Sequence, residues 1–236
     1  MYSFLKLPRK SRRILDSFVN DEAISINSAR MEALSKLPLD FEGRSVLEVG
    51  SGPGLLSDFF LRRGSLLTIS DGRKTLLEIA DRMHRGKVTL KSIKQIDLEN
   101  LSNIRSELKK AKYDVVLAFG ILYHLSNPKE VIGELAIHCT DIFLMETIVN
   151  SFDSMGETVE ERSDFNQALK QGSRLSVMEY VRTLKLHFEY VYLAAQPVHT
   201  DYENLLKGTF PARIFLVGSR KKIRELITVN EKTWVK

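Results

Sequence analysis

Cysteine is nearly missing from this chain. Cys139 is the single one in 236 residues, so no disulfide can close within the chain and no cysteine-built zinc site can be assembled. No run of about 18 apolar residues occurs, which excludes a transmembrane helix. Residues 1–10 lack the apolar core and small-residue cleavage site of a secretion signal. Together these absences point to a cytoplasmic protein. Charge of one sign is in small excess: the net charge of +5 permits an acidic partner without demanding one. The 43% hydrophobic content is ordinary for a globular core, and the length suits one domain with an elaborated loop or terminus.

What is present is organised around Arg44-Ser-Val-Leu-Glu-Val-Gly-Ser-Gly-Pro-Gly54. Val46, Leu47 and Val49 predict a short strand buried on both faces. Gly50, Gly52 and Gly54 follow at alternate positions, where glycine lets the backbone turn sharply and leaves no Cβ in the way of a ligand. Leu55, Leu56, Phe59 and Phe60 predict a helix over 55–63, whose N-terminus would favour a carboxylate or phosphate. A dinucleotide site needs G-x-G-x-x-G; its third glycine would fall at Leu55, so that match fails. The acid before the turn, Glu48, suits a cationic ligand better than a pyrophosphate. Ser51 completes the turn. The plain alternative is an ordinary glycine-rich turn of an α/β domain.

Residues 1–20 set Lys6, Arg9, Lys10, Arg12 and Arg13 beside Phe4, Leu5, Leu7, Ile14, Leu15 and Phe18. This pattern is readable as a nucleic-acid or membrane-surface arm. The favoured reading is a solvated helix with one apolar edge on the core. Residues 21–37 read as a helix closed by Pro38 and Gly43. Ser65–Ser70 is a second buried strand ending at Asp71-Gly72-Arg73. A carboxylate there, about 20 residues past the glycine turn, can accept both ribose hydroxyls; alternatively Asp71 caps a helix over 74–84. Residues 88–90 suggest a third strand, followed by Asp97, readable as a loop or capping acid, and a charged helix over 100–110.

Tyr113–Phe119 is a buried strand leading into Gly120-Ile-Leu-Tyr-His-Leu. Open parallel sheets bind ligands at that end, and Tyr123 and His124 lie just past it. Histidine, with an unperturbed pKa of about 6.5, suits proton removal at neutral pH; holding a backbone carbonyl is its other reading. A helix over 129–139 precedes a strand over 141–147 that ends in Glu146. Glu146 could orient His124 or a substrate hydroxyl, or simply close the strand. Residues 148–174 break the pattern: loop-like, with a helical turn over 165–169, they read as a substrate lid. A helix over 176–188, strands over 190–195 and 213–217 with a loop from 196 between them, and a charged peripheral tail complete the chain.

Assembled, these residues resemble the class I S-adenosylmethionine-dependent methyltransferases over about residues 44–219. The likeness is carried by Glu48-Val-Gly-Ser-Gly-Pro-Gly54, Asp71-Gly-Arg73, Tyr113-Asp-Val-Val116 and Leu122-Tyr-His-Leu125. It implies an α/β, Rossmann-like seven-stranded sheet, mostly parallel, with helices on both faces and an antiparallel C-terminal strand. It implies a helical cap over the cofactor cleft at 1–43, a catalytic domain at 44–219 with its lid at 148–174, and a tail at 220–236. S-adenosylmethionine would lie on Glu48, Gly50, Ser51, Gly52, Gly54, Asp71 and Gly72. Its adenine would meet Asp97 and Leu98, and its methionine part the backbone of Phe119 and Gly120. Asn27 and Arg30, on the covering helix, could reach a ligand carboxylate, although surface positions are expected for both.

A narrower likeness, to bacterial enzymes encoded with polysaccharide or sugar-modifying genes, rests on Leu-Tyr-His-Leu125, Met-Glu-Thr147, Gly-Ser-Arg174, Gln-Pro-Val-His199 and Arg213. That likeness implies no agreed substrate. The cofactor motifs and the lid favour O-methylation of a small molecule or glycan, with His124 as base, Glu146 steadying it and no metal required. An amine acceptor would need only deprotonation and positioning. Phe-Gly-Ile-Leu at the fourth strand end is not the Asn/Asp-Pro-Pro-Tyr/Phe of enzymes that methylate base or glutamine nitrogens. An RNA methyltransferase using the basic N-terminal arm, and a non-catalytic cofactor-binding subunit, are the alternatives. No role is assigned to Arg174, His199 or Arg213.

Overall fold

The computed structural model describes residues 8–160, 171–194, 196 and 199–226. In chain order it runs α1 (Arg9–Asp16), α2 (Asp21–Ser35), β1 (Ser45–Val49), α3 (Ser57–Leu61), β2 (Leu66–Asp71), α4 (Lys74–His84), β3 (Leu90–Gln95), α5 (Leu101–Leu108) and β4 (Tyr113–Phe119). A 3-10 turn (Leu122–His124) leads to α6 (Pro128–His138), β5 (Cys139–Val149), β6 (Glu157–Glu160), β7 (Gln171–Arg174), α7 (Val177–Lys185), β8 (Tyr190–Leu193), α8 (Thr200–Leu206) and β9 (Ala212–Ser219).

Seven strands form one sheet in the order β3-β2-β1-β4-β5-β9-β8. The first five are parallel, and β9 runs antiparallel to both β5 and β8. This is the predicted Rossmann-like architecture. Alternation along each strand separates the two faces. Val46, Leu117, Leu144 and Phe215 pack with residues of α2, α3 and α4. Leu47, Val116, Phe143 and Leu216 pack with residues of α5, α6 and α7. By the same parity Glu48, Glu146 and Arg213 project toward the α2 face. Among the described residues no helix is long and apolar enough to cross a membrane.

Several boundaries differ from the sequence reading. The helix over 55–63 is only Ser57–Leu61, because turns consume residues 52–56. The third strand lies at Leu90–Gln95 rather than 88–90. It is an edge strand, and Lys91 and Lys94 break its apolar signal as edge strands commonly do. The stretch read as a lid loop contains a separate antiparallel hairpin, β6 with β7; the turn expected over 165–169 lies outside the described residues. The loop read from 196 folds partly into α8, whose N-cap is His199. The tail is docked at its start: Arg220 donates to the carbonyls of Ala136 and Cys139, and the Ile223 N–H to the Tyr192 hydroxyl. Its residues from 227 on, and residues 1–7 of the N-terminal stretch, lie outside the description. Within that stretch Ile14 and Leu15 pack on Leu76 and Ile79 of α4, the solvated-helix arrangement.

Phe41, Phe59 and Phe60 form an edge-to-face trio behind the glycine turn, with centroids 5.2–6.0 Å apart. Phe60 is wholly buried. Phe60→Ala should therefore lower unfolding free energy by about 3–5 kcal/mol in urea titrations. A loss below about 1 kcal/mol would show that the trio does not support the turn.

Candidate active site

The carboxyl ends of the parallel strands, with the beginning of β9, enclose a cavity of about 340 Å³. Its lining follows the strand order. Asp97 and Leu98 come after β3, Asp71 and Gly72 at the end of β2, and Glu48, Gly50, Ser51 and Gly52 on and after β1. Phe119, Gly120, Tyr123 and His124 come on and after β4, and Arg213 on β9. At about 4.8 Å per strand spacing, the cleft is long enough for an extended nucleoside. Phe18, Asn27 and Arg30 line it from above. Gly54 and Glu146 do not line it.

The glycine turn is left-handed at Gly50, Gly52 and Gly54, with φ of 64°, 58° and 80°, which explains the residue type at all three. The space left by two of the missing Cβ atoms is occupied by protein. A Cβ on Gly50 would stand 2.5 Å from Ile121, and one on Gly52 2.9 Å from the Phe18 ring. The turn is pinned from below: the Ser51 N–H donates to the Ser70 carbonyl at 2.9 Å, and the Gly52 N–H to Asp71 Oδ2 at 3.0 Å. His84 touches the carbonyl of Gly54 at 2.7 Å.

Asp71 is 2% exposed. Besides Gly52, it accepts from the Arg73 N–H at 2.8 Å, Arg73 Nε at 3.0 Å and Arg73 Nη2 at 3.2 Å. These bonds fill the acceptor sites of one carboxylate, so ribose hydroxyls would have to replace the Arg73 guanidinium. Arg73 Nη1 is buried without a partner. Asp71 does not cap α4; Arg73 occupies the N-cap position. Asp97 is exposed and accepts from the Glu99 N–H at 3.1 Å, while Leu98 is buried beside it. Glu48 is 3% exposed and receives the Ser57 hydroxyl at 2.5 Å. Burial, helped by the neighbouring Asp71 charge and opposed by Ser57, pushes its carboxyl up to about 7.

Glu146 departs most from its expected roles. It is 0% exposed, and its two oxygens are taken by Arg30 Nη2 at 2.5 Å and Arg213 Nη1 at 2.9 Å. Burial alone would raise its carboxyl, but the two guanidiniums hold it below the usual range. It therefore positions two arginines that line the cavity. Arg30 is not a surface residue: its side chain is 14% exposed, Nη1 donates to Asn27 at 3.2 Å, and Nε is buried without a partner. Arg213 Nε also donates to Asp201 of α8 at 2.9 Å. His124 lines the cavity from the 3-10 turn, its ring 4.1 Å from that of Tyr123.

Sequence reading missed Phe18, Arg73 and Arg213 as parts of this site. A signal existed for Arg213 alone: an arginine starting an antiparallel strand must sit beside the carboxyl end of its parallel neighbour.

The Glu48 shift makes a stability prediction. The unfolded carboxyl loses its proton near 4.5 and the folded one near 7, so the folded state holds more protons between those values. Stability should therefore fall as pH rises from about 4.5 to 7, by an amount on the order of 3 kcal/mol. Urea midpoints of the wild type and Glu48→Gln should diverge over that window, the variant being relatively more stable at pH 8. Parallel pH profiles would show that Glu48 is not held protonated.

Comparison with known proteins follows this geometry. A family model described as a methyltransferase domain matches residues 22–182. The chain is 28% identical over 193 residues to a ubiquinone biosynthesis O-methyltransferase of Histophilus somni, covering 78% of this chain and 79% of that protein. Its match to the enzyme of that name from Alkalilimnicola ehrlichii is 30% identical and covers 47% of this chain but 43% of the relative, so it spans under half of that protein's length. Among solved structures, the N-terminal domain of EvdMO1 with S-adenosylhomocysteine bound aligns with a TM-score of 0.63 at 18% identity, over 86% of this chain and 85% of that one. Magnesium protoporphyrin IX methyltransferase from Synechocystis PCC 6803 aligns with a TM-score of 0.58 at 14% identity, over 90% and 93%. With the family match spanning residues 22–182, most of the chain, the chain belongs to the methyltransferase-domain family.

Proposed function

We propose that this enzyme methylates an oxygen of a small molecule, sugar or glycan by direct in-line transfer. The observation that carries the reading is the lateral order of the cleft. Carboxylates stand at the ends of β2 and β3, the glycine turn at β1, and His124 with Tyr123 and Arg213 at β4 and β9. Such an order suits an adenosine at one end and a methyl acceptor at the other. Relatives named O-methyltransferases support oxygen as the nucleophile.

The residues present fit the cofactor. The left-handed glycine turn puts backbone of Gly50, Ser51 and Gly52 in the cavity wall, and Arg30, whose Nε is buried without a partner, lines the cavity beside it. Asp71 would take the ribose hydroxyls once Arg73 moves aside, Asp97 and Leu98 the adenine, and the backbone at Phe119 and Gly120 the methionine part. Arg30, packed over Gly120, would take the methionine carboxylate. Glu48, once ionised, would favour the cationic end. When bound, S-adenosylmethionine supplies an electrophilic methyl carbon on a sulfonium that is its own leaving group.

The chain's own work is then alignment, exclusion of water and proton removal. Alignment alone can be worth effective molarities of about 10⁵–10⁸ M. A ring nitrogen of His124 would take the acceptor hydroxyl's proton, with the Tyr123 ring against it. The segment 148–174, whose β7 Ser173 hydroxyl donates to the Ser126 carbonyl at 2.9 Å, would close over the acceptor, and the helices of residues 1–43 over the cofactor.

Incubation of tritiated S-adenosylmethionine with fractionated metabolites, glycans and RNA tests the acceptor class; label confined to RNA would reject the small-molecule and glycan reading. Asp71→Ala should weaken S-adenosylhomocysteine binding by about tenfold or more in calorimetry, and unchanged affinity would remove Asp71 from the ribose site. His124→Gln should lower kcat by about 100-fold or more while cofactor affinity holds. Full turnover in that variant would end its role as base.

A further inference from the structure

Arg213 enters the cleft from β9, across β1, β4 and β5 from the proposed ribose carboxylate. Two of its nitrogens are committed to carboxylates that do not line the cavity: Nε to Asp201 and Nη1 to Glu146, each at 2.9 Å. Its third nitrogen, Nη2, has no hydrogen-bond partner among the described residues. A planar guanidinium held at two corners presents the third in a fixed direction. The Arg213 guanidinium carbon lies 5.6 Å from the centre of the Tyr123 ring, beside His124 in the cavity wall.

Charge is layered here. Glu146 is completely buried, and the arginines it pairs with stand between it and the cavity. The acceptor end therefore meets cations first, with their counter-charges behind. Arg30 has its own partner in the cofactor carboxylate proposed above; Arg213 has none. Outside the cavity lining, Arg174 has its Nε buried and unpartnered, and its strand β7 is tied by Ser173 to Ser126, just past the turn that carries Tyr123 and His124.

We propose that the methyl acceptor carries an anionic oxygen group, a carboxylate or a phosphate, and that Arg213 receives it through Nη2 and so selects which acceptor is methylated. The inference rests on the methyltransferase reading and names its substrate class. The competing role for Arg213 is a strut that only joins β5, β9 and α8.

A small-molecule extract is split on a strong anion exchanger at pH 8 into flow-through and salt eluate, and each fraction is incubated with the enzyme and tritiated S-adenosylmethionine. Label should enter compounds of the eluate. Prior phosphatase treatment should abolish labelling for a phosphate acceptor and leave it in place for a carboxylate. Label confined to the untreated flow-through overturns the inference while leaving the methyltransferase reading intact. Label in neither fraction, with S-adenosylhomocysteine bound normally, overturns the small-molecule reading and this inference with it. With the labelled eluate as acceptor, Arg213→Gln should raise KM about 10- to 100-fold with the S-adenosylhomocysteine dissociation constant unchanged, and Arg213→Lys should recover part of the loss. An unaltered KM in Arg213→Gln, or a cofactor affinity that falls with it, makes Arg213 a strut and overturns the proposal.

Discussion

One buried carboxylate sets the geometry of the cleft. Glu146 sits in the later part of β5 with no solvent contact, and removing a charge from water costs several kcal/mol even after relaxation. It can remain ionised only where cations meet it, and Arg30 of α2 and Arg213 of β9 do so. The arrangement need add little to net stability, since buried pairs often break even against apolar packing. Its effect is positional. It ties the N-terminal helix to the sheet across 116 residues of sequence and aims two guanidiniums at the cavity.

The rest of the site follows from strand order and parity. Side chains alternate across a strand, so Glu48, Glu146 and Arg213 share the face that α2 covers. The parallel strands end at one edge of the sheet, and β9, running the other way, begins there. This reversal places an early residue of β9 opposite a late residue of β5: Arg213 is in register with Ile148. Along the cleft, Asp97 and the Arg73-paired Asp71 stand at the β2–β3 side, and Arg213, backed by Glu146, at the β9 side. A ligand with a cationic centre and anionic ends has complementary neighbours along that line.

How far the chain could be read varied with the kind of signal. Apolar runs such as Tyr113–Phe119 and the glycines after β1 were legible because buried parallel strands and left-handed turns restrict residue type directly. β3 was misplaced because a lysine-bearing edge strand carries little hydrophobic pattern. The β6–β7 pair was invisible because Gln171, Gly172 and Ser173 have poor strand propensity and are held by pairing with residues 158–160. α3 was overextended because its periodic leucines and phenylalanines fill the core whether the backbone there is helix or turn. Arg30 was assigned to the surface because charged residues usually lie there.

By itself the sequence determined the sheet class, the position of the glycine turn and the acids late in the first two strands. Those features are local: each depends on residues within one strand and its adjoining turn. Tertiary structure alone decided that Glu146 pairs with two arginines, that Arg73 covers Asp71 and that Phe18 packs on Gly52. Each of those is a contact between segments distant in the chain or a choice among rotamers, and its sign depends on which opposite charge or empty volume the fold brings within a few ångströms.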